Sequence, residues 1–336
     1  MEPQNQNVSS VSGLTLPGAL FKTAWNLYKS NWMLLSGIAV VPAVITILSQ
    51  LCNLSGGGLV AVGAVLSLLS FIVNLVMQPT LIITVDQLSR GERGLSVWPQ
   101  FRRGFSFFWP FVLVVILVVL VSIGSIGLFV VPGIIVGLYI SLYVFAVVLD
   151  GKRGYEALTE SYQLVYGRWL AVIGRQLYLA LMFIGFMIVI AIVGIIISVV
   201  LVSSVATTGA MIAPTTAVHA SPVQTIIGLV FGLIVNGIIV PIFLSYTYGL
   251  YMSLKATRPV NVATATFKKW LVAFTVLGLI GAALLMFFFV AVLPGLTQEM
   301  IQRERLYPNV SSIPSFGQNL SPEQGLSPQT VPANSQ

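Results

Sequence analysis

Three side-chain amides inside long apolar runs, Asn74, Gln78 and Asn236, are the residues best placed to do chemistry in this chain. An amide surrounded by hydrocarbon must bond across helices or to a ligand, because lipid tails offer neither donor nor acceptor. Asn74 is followed five residues on by Pro79, and Asn236 by Pro241. The residues before them match too, as Ile72-Val73-Asn74 and Ile234-Val235-Asn236. Each proline removes one helical hydrogen bond and frees the carbonyl four residues earlier, on Leu75 and Gly237. Matched interruptions in repeated halves point to binding sites in transporters. Amides that only tie helices together are the alternative. A sharper expectation is that Asn74 and Asn236 face each other across a repeat axis.

No other constellation for catalysis or metal binding emerges. His219 is the only histidine, in the stretch ATTGAMIAPTTAVHASP, which has no carboxylate. A zinc site or a histidine-based triad needs partners that this stretch lacks. Cys52 is the only cysteine, so no intrachain disulfide or thiolate cluster can form. No phosphate-binding glycine loop follows a strand, since no strand is expected. No ionisable group is expected at the middle of an apolar run, which argues against ion-coupled transport. The expectation is a chain with no cofactor and no enzymatic activity of its own.

Only 7% of the 336 residues are charged and 57% are hydrophobic, so much of the apolar surface must face lipid. The formal charge of +7 is distributed in short clusters at alternate gaps between apolar runs. Lys22 and Lys29 precede the first run. Arg90, Arg93, Arg102 and Arg103 lie between the second and third. Lys152, Arg153, Arg168 and Arg175 lie between the fourth and fifth, and Lys255, Arg258, Lys268 and Lys269 between the sixth and seventh. This is the positive-inside pattern of a multi-pass membrane protein, with anionic lipid headgroups at the cytoplasmic leaflet as partners and no nucleic acid.

The spacing predicts an all-α fold with seven spans, at about 32–52, 59–86, 109–130, 132–149, 170–203, 223–254 and 270–295. From Trp109 to Leu149 there is no charge, and one helix of that length would be near 60 Å, too long for one crossing. Gly124, Gly127, Pro132 and Gly133 supply the break of a tight hairpin. Residues 1–17 read as a disordered cytoplasmic segment without the pattern of a cleaved signal peptide, 18–295 as the membrane domain, and 296–336 as a polar, mostly disordered tail. The N-terminus is then cytoplasmic and the C-terminus outside the cell membrane. The pattern Asn309-Val310-Ser311 fits a glycosylation acceptor but is short and common.

Short amphipathic stretches precede the spans. Phe21, Trp25, Tyr28 and Trp32 form the first. Trp98, Phe101, Phe105 and Phe108 form the second, and Tyr155, Leu158, Tyr162, Val165 and Trp169 the third. Spacings of three and four put the aromatics on one helix face, so these helices are expected to lie in the membrane interface. A weaker copy runs from Val262 to Trp270. The repeating unit is thus an interfacial helix followed by a two-span hairpin, present three times with a final half-unit. At the end of the second span, Asp86 and Arg90 are one turn apart and suited to an ion pair.

The central segment VVPGIIVGLYISLYVFAVVLDGKRGYEALTESYQLVYGRWLAVIG carries Pro132-Gly133 before a span and Asp150-Gly151 at its end. Ala157-Leu158, Ser161, Gly167 and Trp169 follow before the next span. In these residues the chain resembles the bacterial glycerophosphoryl diester phosphodiesterase membrane domain family and its poorly characterised relatives. The resemblance implies a six-helix membrane domain of mostly unassigned function. It does not imply phosphodiesterase chemistry, which in proteins with both parts belongs to a separate soluble barrel. Read from the residues themselves, Gly151 and Gly154 permit a turn, and Asp150 or that turn caps the next helix. Tyr155, Tyr162 and Trp169 anchor the helix to the interface, and Glu156 and Glu160 favour its dipole.

The leading functional expectation is a scaffold or accessory protein that organises lipid or a protein partner, or its own copies, at the cytoplasmic leaflet. The alternative is a transporter or permease for a small or lipid-like molecule, along a path near Asn74, Pro79, Asn236 and Pro241. A lipid-modifying enzyme ranks last, for want of acid, base or metal groups.

Overall fold

The computed structural model describes residues 14–55, 57–128, 130–207, 222–258, 262–295 and 298. His219, the glycosylation pattern at 309–311, nearly all of the 296–336 tail and residues 1–13 lie outside them. The chain is all-α. Among the described residues, six helical stretches are long and apolar enough to cross a membrane: Trp32–Asn53, Leu59–Ser89, Phe108–Gly127, Trp169–Ile197, Gly228–Ala256 and Ala265–Gly295. The fourth expected span is a shorter apolar segment, Gly133–Leu149.

In chain order the helices are α1 (Pro17–Ser30), α2 (Trp32–Ser55), α3 (Leu59–Ser89), α4 (Val97–Ser106), α5 (Phe108–Leu128), α6 (Val130–Ile140) and α7 (Tyr143–Leu149). They continue as α8 (Tyr155–Val165), α9 (Trp169–Thr207), α10 (Pro222–Ile234), α11 (Val240–Ala256) and α12 (Ala265–Phe287). A π-helical stretch, Val235–Ile239, joins α10 to α11. Short helices at α1, α4 and α8 each precede two longer segments, so the element order follows the expected repeat. The weak fourth copy is not a separate helix: Phe267, Lys268, Lys269 and Trp270 belong to the start of α12. The compact unit that ends at Gly281 contains everything described below. The second unit starts at Ala282 and includes the end of α12 and a π-helical stretch, Phe288–Val292.

The buried centre is built around α11. Tyr246, Leu250, Tyr251 and Leu254 pack with Leu20 and Ala24 of α1, Leu35 and Ile38 of α2, and Leu81 and Val85 of α3. None of the most apolar window of Trp169–Ile197 is buried within the protein, so its Leu, Ile and Val side chains require lipid as solvent.

Glycine lets α5 and α12 cross backbone to backbone. A Cβ on Gly124 would lie 2.0 Å from the Phe274 carbonyl oxygen, and one on Gly278 would lie 1.8 Å from that of Leu120. Gly124 is therefore a packing residue within α5, not part of the hairpin break. Pro132 likewise lies in the first turn of α6, where a missing N–H costs nothing. Gly133, also inside α6, allows close approach to Ile126 of α5.

The real interruption of the fourth segment falls at Ser141 and Leu142, between α6 and α7. Its loose backbone groups are met by a side chain from α8. Ser161 Oγ donates to the Tyr139 carbonyl at 2.7 Å and accepts from the Leu142 N–H at 3.1 Å. This corrects the interfacial reading of α8. Ala157, Leu158, Ser161, Leu164 and Val165 are buried, because α8 packs on α6 and α7 and completes their broken ladder. α1 and α4 do keep an aromatic face outward, with Trp25 and Trp98 exposed, while Leu20 and Ala24, or Gln100 and Gly104, face the protein. All six tryptophans are exposed, and Trp32, Trp98, Trp109 and Trp169 stand in the first turn of their helices, beside the basic connections.

Candidate functional site

A cavity of about 340 Å³ lies between α2, α3 and α10, within the apolar stretches. Its polar lining is Thr46 and Gln50 of α2, Asn74 of α3 and Asn236 of the π-helical stretch, with Gly228 and Gly232 leaving room on α10. Asn74 also lines a second cavity of about 180 Å³ on the other side of α3, together with Gln78, Phe111 and Tyr143. The three amides singled out by sequence thus border two cavities that share Asn74.

Each asparagine is tied back onto its own helix. Asn74 Nδ2 donates to the Ser70 carbonyl at 3.0 Å, and Asn236 Nδ2 to that of Gly232 at 2.8 Å. They line one cavity, as the expectation that they face each other requires, but no hydrogen bond joins them directly. The reason is local: an amide four residues on from a carbonyl satisfies it within one turn, without reaching across the gap. Among the described residues, no donor reaches either side-chain oxygen. Asn74 and Gln78 are exposed on a helix whose surroundings are hydrocarbon, an arrangement that costs free energy unless a polar group or water covers them.

The two prolines serve the packing and line neither cavity. Both are buried. The Gly237 carbonyl freed by Pro241 accepts from Ser36 Oγ at 2.6 Å and Tyr28 OH at 3.2 Å, which joins α1 and α2 to the break above α11. A third proline, Pro42 in α2, has its carbonyl met by Thr46 Oγ1 at 2.9 Å and Ser70 Oγ at 3.1 Å. Thr46–Ser70 and Ser49–Ser67 hydroxyl pairs, both 2.6 Å, then zip α2 to α3. Thr46 and Gln50 were not singled out from the sequence, although polar residues within the first apolar run were the available signal.

Apart from Pro132 and Gly133 in the first turn of α6, the residues behind the family resemblance lie towards the basic end, in structural roles. Asp150 ends α7 and, contrary to the expected cap on α8, its carboxylate accepts from Tyr251 OH at 2.5 Å and pairs with Lys255. Residue 154 at the start of α8 is glycine, at φ +53°, so no side chain caps that end. Gly151 at φ +65° and Gly167 at φ +74° make the flanking turns. Glu160, expected to serve the dipole of α8, accepts from Arg258 at 2.7 and 3.3 Å, and Arg168 holds Thr257. Asp86 pairs with Arg90 at 2.9 Å, as expected, and also accepts from Tyr248 OH at 2.9 Å. These bonds bring the connections after α3, α7 and α11 to one end of the bundle.

Tyr155 and Tyr162 do not anchor α8 to an interface. Tyr155 OH donates to Thr275 Oγ1 at 3.1 Å, and Tyr162 stacks on Phe267 with ring centroids 3.8 Å apart. Burial pushes the Tyr162 phenol above its ordinary value, and Tyr166 and Tyr139 nearby push the same way. Trp169 opens α9 and stays exposed. Arg175 lies inside α9, not between runs. Its guanidinium reaches back to the carbonyls of Thr15 at 2.9 Å and Leu14 at 3.2 Å, so a charge within a span is satisfied near its end.

No family model, curated protein or solved structure matches the chain. Among the described residues, no three His, Cys, Asp or Glu side chains come together. The arrangement offers hydrogen-bond acceptors and donors in a low-dielectric setting, without a charged group in the cavity lining.

Proposed function

We propose that this chain is a permease-like membrane protein that admits a small uncharged polar molecule, or the neutral polar part of a lipid-like one, to the cavity at Asn74 and Asn236. The single observation that carries this reading is the shared lining. Amides from three separate helical stretches border two cavities joined at Asn74, and no donor among the described residues reaches the Asn74 or Asn236 side-chain oxygen. An uncharged lining favours an uncharged guest, because a charge there would lose its hydration without a counter-charge. Flux of candidate solutes and labelled lipids in proteoliposomes tests it. Asn236→Ala is expected to abolish flux while the protein elutes and melts as before; wild-type flux in that variant would overturn the reading.

A second reading is supported by the basic end. There the exposed tryptophans and Lys22, Lys29, Lys268 and Lys269 favour an accessory protein held against anionic headgroups, in line with the resemblance to a membrane domain without its barrel. Absence of flux, with specific co-purification of a partner, favours that reading. For both, the proposed setting is the cell membrane with the basic end in the cytoplasm. In a Cys52→Ser background, Gly57→Cys is expected to react with an impermeant thiol reagent on intact cells and Glu92→Cys to be protected. Labelling of both would overturn the topology.

A further inference from the structure

An apolar groove of about 250 Å³, separate from the amide-lined cavities, lies beside α1 and is walled by Phe21 and Trp25, by Leu179 and Phe183 of α9, and by Ile238 and Ile242 near the start of α11. From Leu179 to Phe186 the α9 wall runs about 10 Å, at 1.5 Å per residue. That is room for the upper part of an acyl chain, and the groove offers such a chain only carbon and aromatic surface.

The rim carries charge of one sign. On α1, Lys22, Trp25 and Lys29 are spaced by three and four, which puts both ammonium groups and the indole on one stripe of the helix. Both lysines are exposed, and among the described residues neither has an acidic partner. Three carboxylates at this end are engaged elsewhere: Asp86 by Arg90, Asp150 by Lys255 and Glu160 by Arg258. Arg175, one turn before Leu179 on the groove wall, is held by the Leu14 and Thr15 carbonyls. The two lysines, without an acidic partner among the described residues, flank Trp25, which lines the apolar slot.

We propose that this groove binds one anionic phospholipid, its acyl chain against Phe183 and Ile242 and its phosphodiester between Lys22 and Lys29, with Trp25 at the glycerol level. Charge complementarity selects the occupant. A zwitterionic lipid would fill the slot equally well but gain little from the lysine pair. The groove shares no lining residue with either amide-lined cavity, so the site stands whether or not the chain transports anything.

The test uses the full chain in detergent micelles, titrated with phosphatidylglycerol or phosphatidylcholine brominated on the acyl chain, with tryptophan quenching as the readout. At about 1 kcal/mol per basic residue near a membrane surface, each lysine is worth about fivefold in preference. Lys22→Gln with Lys29→Gln should lower the preference for phosphatidylglycerol about 25-fold and leave phosphatidylcholine binding unchanged. Trp25→Phe should remove most of the saturable quenching. Lys268→Gln with Lys269→Gln, on exposed α12, should leave the preference intact. Equal loss from both lysine pairs would overturn the proposal, since it means a diffuse basic ring. So would retention of preference without Lys22 and Lys29, or competition by inorganic phosphate as strong as that by lipid.

Discussion

Ser161→Ala is expected to destabilise the protein by about 2–4 kcal/mol, a large effect for the loss of one oxygen atom. The hydroxyl is fully buried and bridges two backbone groups at the α6–α7 break, the Tyr139 carbonyl at 2.7 Å and the Leu142 N–H at 3.1 Å. Alanine offers neither a donor nor an acceptor. Each buried group left unpaired costs about 1–3 kcal/mol. A small contribution from the space left by the oxygen adds to this. Equilibrium unfolding in mixed micelles, or steric trapping in bicelles, measures the loss directly. Ser161→Cys separates geometry from chemistry: the thiol keeps the volume but bonds weakly, so it should fall between wild type and alanine. A loss below about 0.5 kcal/mol for Ser161→Ala would refute the reasoning, because the break would then be held by the surrounding packing and the contact with α8 would be incidental.

Three further outcomes follow from the same geometry. Ser36→Ala should cost about 1–2 kcal/mol by removing the shorter of the two donors to the Gly237 carbonyl, and Pro241→Ala in that background should recover part of it by restoring a helical N–H; the same unfolding assay reads both. Asn74→Leu and Asn236→Leu should be additive within about 0.5 kcal/mol in a double-mutant cycle, since each amide bonds only to its own helix. Tyr162 is held above its ordinary phenol value of 10.0, so the folded state favours the protonated ring. Stability from this source is fully present below about pH 10 and is lost as pH rises through the folded value. Thermal melts should therefore weaken above pH 10, and less so in Tyr162→Phe.

The spans were legible in the sequence because lipid imposes a length and an absence of charge that few other constraints mimic. Segment boundaries such as Trp32 and Trp169 coincide with helix starts to within a residue or two. The clustering of basic residues at alternate gaps was legible for the same reason, and the bonds from Asp86, Asp150 and Glu160 gather those connections at one end. The amphipathic stretches were harder. Period alone says that α8 has two faces. It does not say whether the apolar face meets lipid or protein, and the buried Ser161 that decides the matter looks like any small polar residue in a helix.

The amides show where sequence pattern ends and three-dimensional placement begins. A matched Asn and Pro in two spans marks positions where a helix is weakened, but the carbonyl freed at Gly237 has no signature for its partner, which lies about two hundred residues away at Tyr28 and Ser36. Hydroxyls and a tyrosine close that gap, so the proline became architecture. The asparagines differ because their nitrogens are satisfied within one turn while no donor among the described residues reaches their oxygens, in the lining of a cavity that Thr46 and Gln50 also border. In hydrocarbon a leftover acceptor has only three fates: it draws in water, it meets a partner, or it binds a guest. Two cavities sharing one amide make the third fate the economical reading, and flux through Asn236→Ala is the measurement on which it turns.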